Sequence, residues 1–575
     1  MIFVALAASP ILYVIYNLYS KYNNVYKKYQ DVFSGYEMKD TPETEDPITL
    51  ELTAGSFPSW LNGIMYRVGP GKFNIKQDDG STLVIKHAFD GLSFMHRFRI
   101  DGTTQTLKYN SRCLAKSMEK DLAQNSFKGL IFFGFIPVLS FSRWLYHFWA
   151  RLDQYVLRPR SRASNKADGH NVGVTVTPNF PLPSKWEKNN QSVLVSKTDA
   201  NILQKIHAET LVPEKVFTYT TYDTKLKGQL SAAHHQSDPD TKEIFNFTLS
   251  YNPKPRLIVF STSEAGKVTV LADFTQRTDK SNFQAPYIHS FWLTKNYVII
   301  PESPLIYKDK GINMLLNGNI ISSMTWEKNS PTYFHVISRN GAGLVASIPG
   351  PAFFTFHVSN AFETADPATG DIILTLDCAS FSDGNIVNQV HKFGASHYKG
   401  PDHTPKPSSE FNGTAYPPPR HVDFGDLNRY KLNLTQSKHI STDLMCKNLE
   451  FPRINQAFAG NANNRFVYGC ELLGFTEKRD ETNRIVKVDI DTGAITYYGD
   501  EGFYCSEPIF VPNPEGTRED DGVLLSLVNN FDCCYLIILD ATTLTELARF
   551  KIGQFTAVTF HGSYVDHEFE SININ

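Results

Sequence analysis

From Ile48 onward apolar and polar positions alternate in short runs, and Gly, Asp, Asn and Thr separate the runs. Such period-two patterning predicts strands with one buried face, joined by tight turns. GIMYRVGPGKFNI (63–75) and HAFDGLSFMHRFRIDGTTQTLKY (87–109) are early examples. A unit of strand, Asp/Thr/Gly turn and strand then recurs, as in ETADPATGDIILTLD (363–377), IVKVDIDTGAITYYG (485–499) and LIILDATTLTELARF (536–550). No sustained helical period interrupts these hairpin signals beyond about Gly173. Repeated hairpins over so long a stretch predict an all-β propeller, whose radial blades leave only short protected edges. At 575 residues the chain suits one large β architecture as well as several small domains. The Pro-rich stretch 400–421 reads as a surface excursion, because hairpins resume on both sides.

Two stretches break the pattern. Residues 1–22 are apolar through about Tyr19, with Lys21, Lys27 and Lys28 following rather than preceding. The order is wrong for a cleaved signal peptide. It would keep the bulk of the chain on the cytosolic face of a membrane. Pro10 interrupts a span already marginal in length, so anchor, interfacial helix and tail are all compatible. The second stretch, GLIFFGFIPVLSFSRWLYHFWA (129–150), carries one formal charge, Arg143, and Pro137 near its middle. A span here would strand the following strands across the bilayer. The expectation is an insertion of short helices or loops dipping into one leaflet, with Phe132, Phe133 and Leu139 entering lipid. Lys116, Lys120, Lys128, Arg151 and Arg158 would meet headgroups. The alternative is a buried helical cap.

Composition narrows the chemistry. A net charge of −3 and a pI near 6.6 give no global basic surface, so no nucleic-acid partner is expected. Seven scattered cysteines contain no C-x-x-C pair and point to reduced thiols rather than to a disulfide framework or a cysteine zinc site.

Four histidines stand where an apolar run meets small or polar residues: His234 (SAAHHQSDP), His289 (YIHSFWL), His357 (FHVSNAFE) and His561 (FHG). Intervals of 55, 68 and 204 residues separate them, which is one, one and about three large blades. Histidines ending the inner strands of several blades would meet on a propeller axis and share a metal. Four neutral imidazoles without a thiolate suit iron, copper or zinc. Ligating imidazoles need an acceptor for the second ring N–H, and Glu450 and Glu507 lie in apolar strand surroundings where an unpaired carboxylate would be costly.

Taken in order, LNGIMYRVGPG, HAFDG, SAAHHQSDP, YIHSFWLTKNYVI, FHVSNAFE, LEFPRIN, SEPIFVPNP–EDDGVLLSLV and FHG resemble the carotenoid cleavage oxygenase family. That family includes β-carotene, apocarotenoid and stilbene oxygenases and a retinoid isomerohydrolase. The likeness runs from about residue 46 to 565. It implies a seven-bladed propeller over residues 46–575, with a helical dome over the iron face. It also implies Fe(II) held by His234, His289, His357 and His561, with carboxylates Glu450, Glu507 and Asp199 behind them. The implied reaction is oxidative cleavage of a conjugated C=C bond of a carotenoid or apocarotenoid by O2, giving aldehydes. Stilbene-type cleavage and isomerohydrolase chemistry are the alternatives within the family. Two departures stand out. Asp199 replaces a glutamate, so it would reach its imidazole through a water or tune the metal differently. His235 stands where proline is usual, which leaves a choice between adjacent histidines, favouring His234 by motif.

Overall fold

The structure is a computed structural model. It describes residues 13–23, 36–124, 129–135, 137, 139–157, 166–186, 192–390, 393, 397–398, 409–411, 414–416, 424–474, 482–499, 502–530, 533–569 and 572–573. The Pro-rich excursion lies largely outside these residues.

Seven antiparallel sheets of four to six strands form a seven-bladed β-propeller. Five blades are continuous in sequence, and two close the ring by mixing the chain ends. In one of these, Asn62–Lys72, Leu92–Asp101, Thr106–Cys113 and Thr44–Thr49 are joined by His561–Val565 from the far end of the chain, with His561 opposite Val68. In the other, Glu51–Gly55 forms the outer edge of a sheet otherwise drawn from residues after Phe503. Backbone pairing between the two chain ends thus ties the ring shut, and each blade keeps only a short outer edge.

The period-two pattern becomes packing between blades. Ile64, Tyr66 and Val68 meet Val176, Leu194 and Ile206 on one side. Met65, on the opposite face of the same strand, meets Leu525, Leu527, Leu536 and Ile538. A single strand thus contributes to two inter-blade cores because its successive side chains point in opposite directions.

Over one face lies a dome made of helices Lys116–Ala123, Phe141–Leu152 and Ile312–Asn317 with the loops between them. Helix Phe141–Leu152 starts at Ser140, whose hydroxyl accepts the Arg143 N–H at 3.5 Å. Trp144, His147 and Arg151 fall on its buried face, and the Arg151 guanidinium donates to the carbonyls of Leu315 and Leu316 at 2.6 and 3.0 Å. Tyr146 and Trp149, on the other face, are 55% and 57% exposed.

The dome corrects the reading of insertion 129–150. Phe132 and Phe135 are buried, Phe133 is half-buried toward the interior, and Leu139 packs beside Trp144. The first half is therefore a folded cap, and exposed aromatic surface begins only on the helix. The described part of the N-terminal stretch also meets the dome. Residues 13–23 form a helix whose Tyr19 ring meets Phe141 at 5.4 Å, while the Tyr22 hydroxyl donates to the Leu139 carbonyl at 2.7 Å. This portion packs on the dome through one face, while Tyr13 and Tyr16 stay exposed. Among the described residues no helix is long and apolar enough to cross a membrane.

Candidate metal centre

The four histidines meet on the propeller axis. Their ligand atoms all lie within 4.8 Å of one another, and all four residues are buried. His234 and His289 sit just before the short inner strands Gln236–Ser237 and Trp292–Leu293. His357 is within Phe354–Ala365, and His561 begins His561–Val565. His561 Nε2 is 3.1 Å from His234 Nε2 and 3.2 Å from His357 Nε2.

The three remaining blades supply a carboxylate each. Asp199 Oδ2 is 3.0 Å from His289 Nδ1, Glu450 Oε2 is 2.5 Å from His357 Nδ1, and Glu507 Oε1 is 3.1 Å from His561 Nδ1. With the proton of each imidazole drawn to Nδ1 by its carboxylate, Nε2 is left as a lone pair pointing at the axis. Burial, reinforced by the neighbouring imidazoles, holds His234 well below the ordinary histidine range. His561 is pushed down to about 3 by burial, against the pull of Glu507. Neutral lone pairs 3 Å apart repel unless a cation lies between them, so the donor set fits a divalent metal.

Each carboxylate has its own support. Burial alone would raise Glu507, but Arg453, His561 and Arg67 outweigh it and draw the carboxyl down to about 2. Arg67 Nη1 lies 3.5 Å from Glu507 Oε2, and the Gly562 N–H donates to the same oxygen at 3.2 Å. Glu450 Oε2 also accepts the N–H of Phe451, whose φ of 56° is rarely adopted by a residue with a side chain. That local turn lays the Phe451 ring on His357, with centroids 4.9 Å apart. Asp199 needs no bridging water: it reaches His289 directly, and the Tyr287 hydroxyl donates to the same oxygen at 2.8 Å.

His235 turns away from the axis, its Nδ1 paired with the buried Lys197 Nζ and its ring edge-on to Phe180. Of the histidines without a ligand motif, His335 is held by Glu302 at 2.7 Å and His87 accepts the Phe89 N–H at 3.2 Å, both in structural settings. His391 lies outside the described residues. Tyr287, Arg67 and Arg453 were not singled out from the sequence. The arginines did leave a signal, since each interrupts an apolar run (MYRVG, EFPRIN) where an unpaired charge would be expensive.

Above the histidines is a cavity of about 640 Å³, bounded by Phe89, Phe133, Tyr287, Phe356, Phe451 and Phe560 among others. Beneath them a more polar chamber of about 310 Å³ also touches His234 and His357. Three of the four ligand candidates, His289, His357 and His561, face the upper cavity.

A propeller with an axial tetrad of imidazoles under an aromatic cavity defines the class: a β-propeller protein with a candidate metal centre at the floor of its pocket. Residues 39–566 match the family described as RPE65, retinal pigment epithelial membrane protein, and the chain belongs to this carotenoid oxygenase family. It is 30% identical to the torulene dioxygenase of Fusarium fujikuroi over 91% of this chain and 92% of that protein. To the carotenoid dioxygenase of Neurospora crassa it is 28% identical over 91% and 89%. Among solved structures, a cobalt-substituted apocarotenoid oxygenase of Synechocystis shares the fold, with a TM-score of 0.66 at 22% identity over 93% of this chain and 98% of that one.

Proposed function

We propose that this chain is a non-heme Fe(II) dioxygenase that cleaves a conjugated double bond of a carotenoid or apocarotenoid into two carbonyl products. The observation that carries the reading is the placement of the imidazole tetrad at the floor of the aromatic cavity. Family membership and the two fungal dioxygenases support the substrate class.

His234, His289, His357 and His561 would hold the iron. Iron bound there would supply the activation of O2, whose two atoms end on the two carbons of the broken bond. The chain's own part is placement and protection. Asp199, Glu450 and Glu507 keep three imidazoles oriented with Nε2 inward. Phe89, Phe356, Phe451 and Phe560 present flat apolar faces that bind a polyene and keep bulk water from the reacting bond.

The same reading sets the enzyme against the cytosolic face of a membrane. A polyene is nearly insoluble in water, and Tyr146, at the cavity, shares an exposed helix face with Trp149. Expression in a carotenoid-accumulating bacterium, with product analysis under ¹⁸O2, tests the proposal. Paired aldehydes that both carry label, together with about one iron per chain, are the expected result. Iron-loaded protein that leaves every carotenoid intact would refute it.

A further inference from the structure

The ceiling of the cavity is tied to the propeller by one buried acid. Asp90 lies in the HAFDG turn that precedes Leu92–Asp101, and its side chain is almost wholly inaccessible. Its carboxylate takes three consecutive backbone N–H groups of the dome: Phe133 at 2.6 Å to Oδ1, then Gly134 at 2.8 Å and Phe135 at 2.7 Å to Oδ2. Burial raises this carboxyl to about 6 against the pull of those three bonds. No wider residue fits at the middle of the turn. A Cβ on Gly134 would come within 2.3 Å of His87 Nε2 and 2.8 Å of Ile321 Cδ1. From the other side the Ile320 and Ile321 N–H groups donate to the Phe133 carbonyl, both at 3.0 Å.

Phe133 is thus pinned on both flanks, and its ring is the part that reaches the cavity. It lies 5.1 Å from Phe89 and 6.0 Å from Tyr287, centroid to centroid. Phe89 continues the wall to Phe560 at 5.0 Å and to Phe356 at 6.3 Å, the residues just before His561 and His357. A chain of rings therefore runs from the clamped turn to the floor.

We infer that Asp90 is a positioning residue: by clamping the 133–135 turn it fixes the Phe133 ring against the polyene and so helps set which double bond lies over the histidines. This deepens the proposed function and rests on it. Asp90 does not touch the reacting bond. An asparagine in its place would offer one acceptor oxygen and an NH2 that opposes the backbone donors, so the turn would loosen without any change at the metal ligands.

The test compares wild type, Asp90→Asn, Phe133→Ala and the double variant. Three readouts are used: the chain lengths of carbonyl products from one linear apocarotenal, iron content, and binding of the fluorescent tetraene cis-parinaric acid. Each single variant is expected to broaden the product distribution and weaken parinaric acid binding by about tenfold, as for loss of one well-placed aromatic contact. Iron content should stay at the wild-type level. The double variant should be no worse than either single one, because both act through the same ring. A Phe133→Ala protein with wild-type products and binding would overturn the inference, even where Asp90→Asn fails to fold. Additive losses in the double variant would do the same. A wild-type chain that binds parinaric acid but cleaves no carotenoid would instead sink the proposed reaction, and the binding comparison among the variants would still decide the role of Asp90.

Discussion

The floor and the ceiling of the cavity are built by different means. The floor draws one side chain from each of seven blades, four imidazoles and three carboxylates, seated in strands or in the turns beside them and joined by charge-assisted hydrogen bonds. The ceiling comes from the dome, where backbone groups bond to Asp90 and to the 318–321 segment and rings pack at a tilt. A lattice of paired strands holds the floor in one geometry. The ceiling is held by a few loop contacts that can change without unmaking the propeller. Metal retention should therefore depend on the floor alone, and substrate register and membrane contact on the ceiling.

The sharpest break is expected on the floor. His357→Ala should lose bound iron altogether, as read by metal analysis of the folded protein; iron at the wild-type level would remove His357 from the ligand set. Glu507→Gln keeps the shape but loses the charge that orients His561. It should lower iron affinity or activity by about tenfold to a hundredfold. Unchanged values would make Glu507 no more than a partner for Arg67 and Arg453.

On the ceiling, the double replacement Tyr146→Ser, Trp149→Ser removes the exposed aromatic face of helix Phe141–Leu152. Burying a large apolar side chain in lipid is worth about 1.5–3 kcal/mol, and these two are already partly covered, so flotation with liposomes should fall by about tenfold. Iron content and melting temperature should hold. Undiminished flotation would show that the membrane contact lies elsewhere.

The last effect concerns acid stability. Burial pushes His87 and His96 from the ordinary 6.5 down to about 3, with Arg67 adding to the effect on His96. Between those values the unfolded chain binds protons that the native chain does not. Stability should therefore fall as pH drops below about 6.5, by about 1.4 kcal/mol per pH unit for each histidine, and be insensitive to both above it. His96→Gln should remove one histidine's share of that slope in denaturant melts, and an unaltered slope would contradict the assignment. Iron content should follow a separate curve, since neither histidine belongs to the floor.

Much of the floor was legible because its signals are local. A histidine at the edge of an apolar run, repeated at blade-length intervals, marks an axis; the structure differs in placing these histidines near or before the start of inner strands rather than at their ends. Glu450 and Glu507 betrayed themselves as charges in apolar strands. The ceiling was legible only as apolar. The run from Leu130 to Phe135 has the same hydropathy whether it enters lipid or lines a cavity, and what turned it inward was an acid some 43 residues earlier in the chain, Asp90. Likewise, nothing in SKTDANI announces that Tyr287 would share the Asp199 carboxylate with His289, letting the shorter side chain make direct contact.

By itself, then, the sequence determined the strand periodicity, the propeller class and the histidines that meet on its axis, because side-chain alternation and turn chemistry act over a few residues. Only the tertiary structure decided which faces of the dome look inward, which carboxylate serves which imidazole, and that His234 rather than His235 points to the centre. Those outcomes depend on pairings across tens to hundreds of residues, where the free energy of a group is set by what the fold brings beside it.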